Sequence, residues 1–198
     1  MKDGNDIFKN ICTTKRGVDP QVLEQTIVLA VEVAREGREG RKIGTLFVIG
    51  DEQAVIGSSK PLILDPLAGH PDESKHIADP DLRETLKELA QLDGAFVVSD
   101  SGVVVSAARY IDTTSNSLQV PLGLGSRHMA AASVSQRTGA VAVVVSESSM
   151  VRLFDDGDLV SEITPELWMW NRYSSHLADR PTSTQQAQEE VTVVSVEE

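Results

Sequence analysis

Two short strings hold the residues best able to do chemistry. Asp93-Gly94-Ala95 offers a carboxylate beside a glycine, and Gly125-Ser126-Arg127-His128-Met129 offers a hydroxyl, a guanidinium and an imidazole. The first lies where a predicted helix runs out into a predicted strand. The second opens a predicted helix that leads into a valine-rich strand. Free N–H groups at a helix N-terminus hold anions, and a carboxylate holds the cation that travels with them. Together the strings suit a metal-bound triphosphate. Taken singly, each has a plainer reading. Asp-Gly is a common helix stop, and Ser126 serves as an ordinary N-cap with a solvated arginine behind it. Ser146-Glu147, after the valine run, adds a carboxylate at a strand end. Gly123-Leu124-Gly125 lacks a third glycine and a strand directly before it, so a dinucleotide fingerprint is not supported.

The elements that must position these residues follow from periodicity and punctuation. Asp19-Pro20 starts a helix, and Leu23, Ile27, Ala30, Val31 and Ala34 give it one apolar face. Residues 43–49 read as a buried strand, and 54–57 as its hairpin partner across Gly50-Asp51. Four prolines make 58–80 a loop. Asp79-Pro80 opens a second helix that ends at Asp93-Gly94. Residues 95–99 and 103–106 form a hairpin around Asp100-Ser101-Gly102. Residues 112–126 read as a loop. A helix over 127–137 follows, closed by Gly139, and 140–145 is apolar enough for a central strand covered on both faces. Residues 151–154 and 159–163 form another hairpin, and 165–177 a last helix. The expected architecture is α/β, a mixed central sheet flanked by helices on both faces, in a single domain. Its limits are 19–177, between an N-terminal segment (1–18) and a polar C-terminal tail (178–198).

The chain has 198 residues, 40% hydrophobic, with a net charge of −12. That balance excludes nucleic-acid binding through bulk charge, so any anionic ligand must be met by a local cluster of donors. The single cysteine, Cys12, excludes an intrachain disulfide and reads as a bystander. There is no apolar N-terminal leader and no run of the ~18 apolar residues needed to cross a bilayer. A cytoplasmic protein without a membrane partner is expected.

The order and spacing of the strings are more specific than the strings themselves. "LDGAFVVSDSGVVVSAARYI", followed after a loop by "GLGSRHMAAASVSQRTGAVAVVVSES", resembles the DisA-type diadenylate cyclase (DAC) domain. "GRKIGTLFVIGD" is similar to that family's early strand. The resemblance spans roughly residues 20 to 165. It implies condensation of two ATP into cyclic di-AMP, with release of two pyrophosphates and a requirement for a divalent metal, Mn2+ or Mg2+. By the same resemblance Asp93 binds metal and helps activate the ribose 3′-hydroxyl, and Gly94 and Ala95 line the nucleoside. Ser126, Arg127 and His128 hold the triphosphate. Glu147 assists the metal or the hydroxyl, with Ser146 beside it at the nucleotide. Because each ATP must offer its 3′-hydroxyl to the other's α-phosphate, the resemblance also implies face-to-face self-association as a dimer or larger oligomer. One departure stands out. Met129 occupies the place of the second arginine in the family's Arg-His-Arg, which leaves a non-catalytic ATP or cyclic di-AMP binding module as the alternative. Arg109 and Arg152 are candidates for a replacement cation.

Overall fold

The computed structural model describes residues 11–113 and 123–165, and the backbone of two further strands near the C-terminus. Helix α1 (Pro20–Glu36) begins where Asp19 accepts from the N–H groups of Gln21 and Val22, with Pro20 in the first turn. Strand β1 (Thr45–Ile49) is buried at every position. Helix α2 (Glu52–Gly57) and strand β2 (Ser59–Pro61) follow. Helix α3 (Pro80–Leu89) is capped by Asp79 as α1 is by Asp19. Strands β3 (Ala95–Val98) and β4 (Val104–Ile111) come next, then helix α4 (Ser126–Arg137) and strands β5 (Val141–Val145), β6 (Val151–Asp155) and β7 (Asp158–Ile163).

Seven strands form one mixed sheet in the order β2-β4-β3-β1-β5-β6-β7. Only β1 and β3 run parallel, joined through α2 and α3; the other pairings are antiparallel. The apolar pattern explains the layering. Leu46, Val48, Ala142 and Val144 pack with Ala131, Ala132 and Val134 of α4. The alternate residues, Phe47, Ile49, Val143 and Val145, are just as buried and face the other way, where α1 packs on the same central strands. A strand without polar alternation is what two covered faces require. The expected α/β architecture is therefore present.

Ionic contacts tie α1 to α3. Lys87 reaches Glu84 at 2.6 Å and Glu36 at 3.1 Å, and Arg83 reaches Glu32 at 2.9 Å. Burial alone would push the Lys87 ammonium down, but its hydrogen bonds to Glu84 and Glu36 outweigh this and hold it above its ordinary value.

Three local expectations are corrected. Residues 54–57 are not a hairpin strand but part of α2. Gly50 and Asp51 both take positive φ (82° and 44°), which turns the chain out of the sheet, and only Val55 of α2 is buried. The strand that fills this region is β2, inside the stretch read as loop, paired with β4. Helix α4 is closed by extended Thr138 rather than by Gly139, and its N-cap is Gly125, which places Ser126 at the first helical position. The predicted helix over 165–177 lies outside the described residues. In the segment expected as a polar tail, β8 (Thr182–Gln186) and β9 (Thr192–Val196) pair antiparallel as a separate two-stranded sheet. Among the described residues no helix is long and apolar enough to cross a membrane.

Candidate active site

The site is built on an irregularity between β3 and β4. Ala95 pairs with Arg109 but Val97 pairs with Ser106, so three residue steps on β4 oppose two on β3. The extra residue is a bulge, and Ala108 within it has a φ of +53°. A carboxylate pins this geometry. The Ser106 hydroxyl donates to Asp65 at 2.6 Å, and the Ala107 and Leu67 N–H groups donate to its other oxygen at 3.2 and 2.9 Å. The Leu62 N–H donates to the Ala108 carbonyl at 2.9 Å. The bulge brings Gly94 flat against the backbone of β4, and Gly94 itself has a φ of +108°. Just before it, the Asp93 side chain is 87% exposed, two residues ahead of β3.

Helix α4 brings the second string to the same place. The N–H groups of His128 and Met129 close the first turn on the Gly125 carbonyl at 3.0 and 3.2 Å. From this turn Arg127 reaches out, its side chain 34% exposed. One Nη donates to Asp93 Oδ1 and the other to Glu147 Oε1, each at 3.2 Å. Glu147 stands just past β5, 70% exposed. Gly44 lies beneath the guanidinium, and a Cβ there would stand 2.7 Å from Arg127 Nη1. Two carboxylates, far apart in sequence, thus meet on one arginine, which with Asp93 lines a cavity.

That cavity holds about 270 Å³, and Glu147 stands outside its lining. Asp93, Ser126 and Arg127 give it a polar end, with Gly94 and Ala95 alongside. Leu46, Leu62, Tyr110 and Ile111 give it an apolar wall. A cavity with one charged end and one apolar flank suits a ligand with an anionic part and a flat, weakly polar part. Arg109 also lines it, but Arg109 Nη2 donates to the carbonyls of Ile56 and Ser59 at 2.9 Å each, and Nε to the Ser59 hydroxyl at 3.1 Å. It braces the wall.

The structure brings Asp93, Gly94, Ala95, Ser126, Arg127 and Glu147 together. His128 and Ser146 stand apart from that cavity. His128 is only 7% exposed, packed edge-on to Phe154, with Arg152 Nη1 3.3 Å from its Nε2. Burial, then the Arg152 charge, hold its imidazole below the ordinary value. The Ser146 hydroxyl closes its own turn, bonded to Ser148 at 2.7 Å and to the Met150 carbonyl at 3.1 Å. At Cys12 burial pushes the thiol up to about 12, which keeps it protonated and unreactive. The sequence reading missed Gly44, Leu62, Tyr110 and Asp65. Only Gly44 carried a signal, a glycine inside the run read as a buried strand, where backbone or ligand approaches closely.

Over residues 32–159 the chain matches the family described as "DisA bacterial checkpoint controller nucleotide-binding". It is 49% identical over 146 residues to a diadenylate cyclase of Methanocaldococcus jannaschii, an overlap that takes in 73% of this chain and 46% of that protein. It is 40% identical over 166 residues to a diadenylate cyclase of Haloferax volcanii, with 82% and 58% covered. The chain therefore spans about half the length of these relatives (46% and 58%). A structure described as a hypothetical membrane spanning protein from Bacillus cereus shares the fold, with a TM-score of 0.52 at 22% identity, over 70% of this chain and 62% of that one.

Proposed function

The chain belongs to the DisA-type diadenylate cyclase family, and from that premise we propose that it condenses two ATP into cyclic di-AMP and two pyrophosphates. The observation that carries the reading is the 3.2 Å contact between Asp93 and Arg127, which joins the two separate strings at one cavity. The polar end receives a triphosphate, with Arg127 and the Ser126 hydroxyl as its donors. The apolar wall receives the nucleoside, against the backbone of Gly94 and Ala95.

Asp93 and Glu147 are exposed carboxylates on either side of Arg127, a donor set that fits a hard divalent cation. We assign Mn2+ or Mg2+ to them; when bound, the ion neutralises charge on the phosphates. In each half-reaction a 3′-hydroxyl oxygen forms a bond to the α-phosphorus of the other ATP, and the bond from that phosphorus to the pyrophosphate oxygen breaks. Asp93 helps to draw off the hydroxyl proton, and Arg127 holds the triphosphate in line. Orientation and charge stabilisation supply the acceleration. One cavity holds one ATP, so two chains meet face to face, as a dimer or within a larger oligomer. A cytoplasmic location supplies the ATP.

Incubation with ATP and Mn2+, followed by mass detection of cyclic di-AMP, tests the reading. Product at a rate that scales more steeply than linearly with protein concentration is expected at low concentration, where association limits turnover. Absence of product from folded protein that binds ATP overturns the proposed activity.

A further inference from the structure

His128 is the one residue of the Gly-Ser-Arg-His string that turns inward. Its contacts define its chemical state. Arg152 on β6 lies with Nη1 3.3 Å from His128 Nε2. A guanidinium has only donors, so Nε2 must be the acceptor and must carry no proton. The ring proton then sits on Nδ1. That atom is buried and, among the described residues, makes no hydrogen bond of ordinary geometry. Arg152 is itself held in place, because its Nε donates to Glu162 Oε1 on β7 at 2.6 Å and its side chain is 13% exposed. The Phe154 edge closes the ring's other side.

We propose that Arg152 is a positioning residue: held by Glu162, it fixes His128 as the neutral Nδ1–H tautomer and thereby braces the first turn of α4, from which Arg127 reaches Asp93 and Glu147. The charged groups acting on the ring are Arg127 on its own helix, Arg152 on β6 and Glu162 on β7. The two arginines disfavour the imidazolium and Glu162 favours it. The bracing deepens the proposed function, since it concerns how the triphosphate donor is held; the assignment of the tautomer stands apart from catalysis.

The test is a long-range 1H–15N correlation spectrum of the intact protein labelled at histidine nitrogens. The chain has four histidines, and His128→Gln identifies the relevant signals. In the wild type a protonated Nδ1 and a bare Nε2 are expected from pH 8 down to below the ordinary histidine range of about 6.5. Arg152→Met keeps an apolar stem but no donor; its ring is expected to show both tautomers and to take up a proton nearer that range. Arg152→Lys, which keeps a donor, is expected to recover the wild-type spectrum. ATP affinity, measured by calorimetry with Mn2+, is expected to fall several-fold in Arg152→Met and to recover in Arg152→Lys. A wild-type ring protonated on Nε2, or an Arg152→Met spectrum identical to wild type, overturns the proposal. Unchanged ATP affinity beside an altered spectrum overturns the bracing. Failure of every variant and the wild type to bind ATP would instead count against the proposed function, with the spectra still deciding the tautomer.

Discussion

Gly94 and Ala108 touch backbone to backbone: a Cβ built on Gly94 would stand 2.6 Å from the Ala108 carbonyl carbon and 2.8 Å from the Arg109 nitrogen. No side chain can swing aside there, because the obstacle is main chain. Gly94→Ala must also adopt a φ of +108°, so it combines strain with a clash, at roughly 1–3 kcal/mol for the backbone conformation alone. The expected outcome is a lower urea midpoint with an unchanged m-value, and cyclic di-AMP formation reduced by more than tenfold. Wild-type stability and rate together would show that the bulge yields easily.

Asp93→Asn replaces a charge with an amide of equal size on an 87% exposed side chain. Folding should hardly change, because an exposed ion pair contributes about 0–1 kcal/mol. Product formation should fall by two orders of magnitude or so, since a divalent cation needs the carboxylate. Thermal melts and mass detection of product check both halves, and near wild-type turnover removes Asp93 from the mechanism.

Gly44→Ala should act through Arg127. The added Cβ meets Arg127 Nη1 at 2.7 Å and the Val145 carbonyl at 3.2 Å, so the guanidinium has to move. The expected signature is a reduced ATP-induced rise in Tm, nearly as small as that of Arg127→Ala, in a protein whose Tm without ATP falls only slightly. A full ATP-induced shift would show that Arg127 relocates without loss.

Stability should depend on pH through His128. Its folded value lies below the ordinary one, so the unfolded chain takes up the proton first as pH falls. This contribution is therefore intact above about pH 6.5 and is lost as pH drops from there through the lower folded value, at up to about 1.4 kcal/mol per unit. Denaturant melts at pH 7.5 and 5.5 should show the difference, and His128→Gln should flatten it. Equal slopes in both proteins would assign the effect to other groups.

Met129→Arg should raise activity. The two arginines nearest in role are engaged: Arg109 with Ile56 and Ser59, Arg152 with His128 and Glu162. Neither supplies the charge that Met129 lacks. One restored charge-assisted bond corresponds to about 1.5–3 kcal/mol, so an increase of roughly tenfold or more is expected. A clear loss in a well-folded variant would show that the thioether is adapted to this site.

Much of this arrangement could be read from the chain. The Asp-Pro starts of α1 and α3 announce themselves, because cap and ring chemistry are local. So does the unbroken apolar run of β5, because only a doubly covered strand tolerates it. Strings resembling one family pointed to Asp93 and Arg127, and the fold supplies their meeting. What stayed hidden depends on distant partners. Asp65 sits in a proline-rich stretch, and only its bonds to Ser106 and Ala107 give it a role. Residues 54–57 read as strand because Val55 and Ile56 follow a Gly-Asp turn signal, whereas two left-handed residues ahead of them decide the direction of the chain. His128 could not be told from a solvent-facing ligand, since burial against Phe154 is set by β6.

Arg127 between Asp93 and Glu147 sets a simple arithmetic of charge at the edge of the cavity. One positive group already answers two negative ones, so an arriving anion can have the guanidinium only by taking it from the carboxylates. A bare polyphosphate would strand both of them, facing its own negative oxygens across a few ångströms. A polyphosphate that brings a divalent ion returns a counter-charge as it removes one, and every group finishes with a partner. Both pairs are solvent-exposed, so each opposes such an exchange by only about 0–1 kcal/mol, and the guanidinium is surrendered readily to a ligand that carries its own cation.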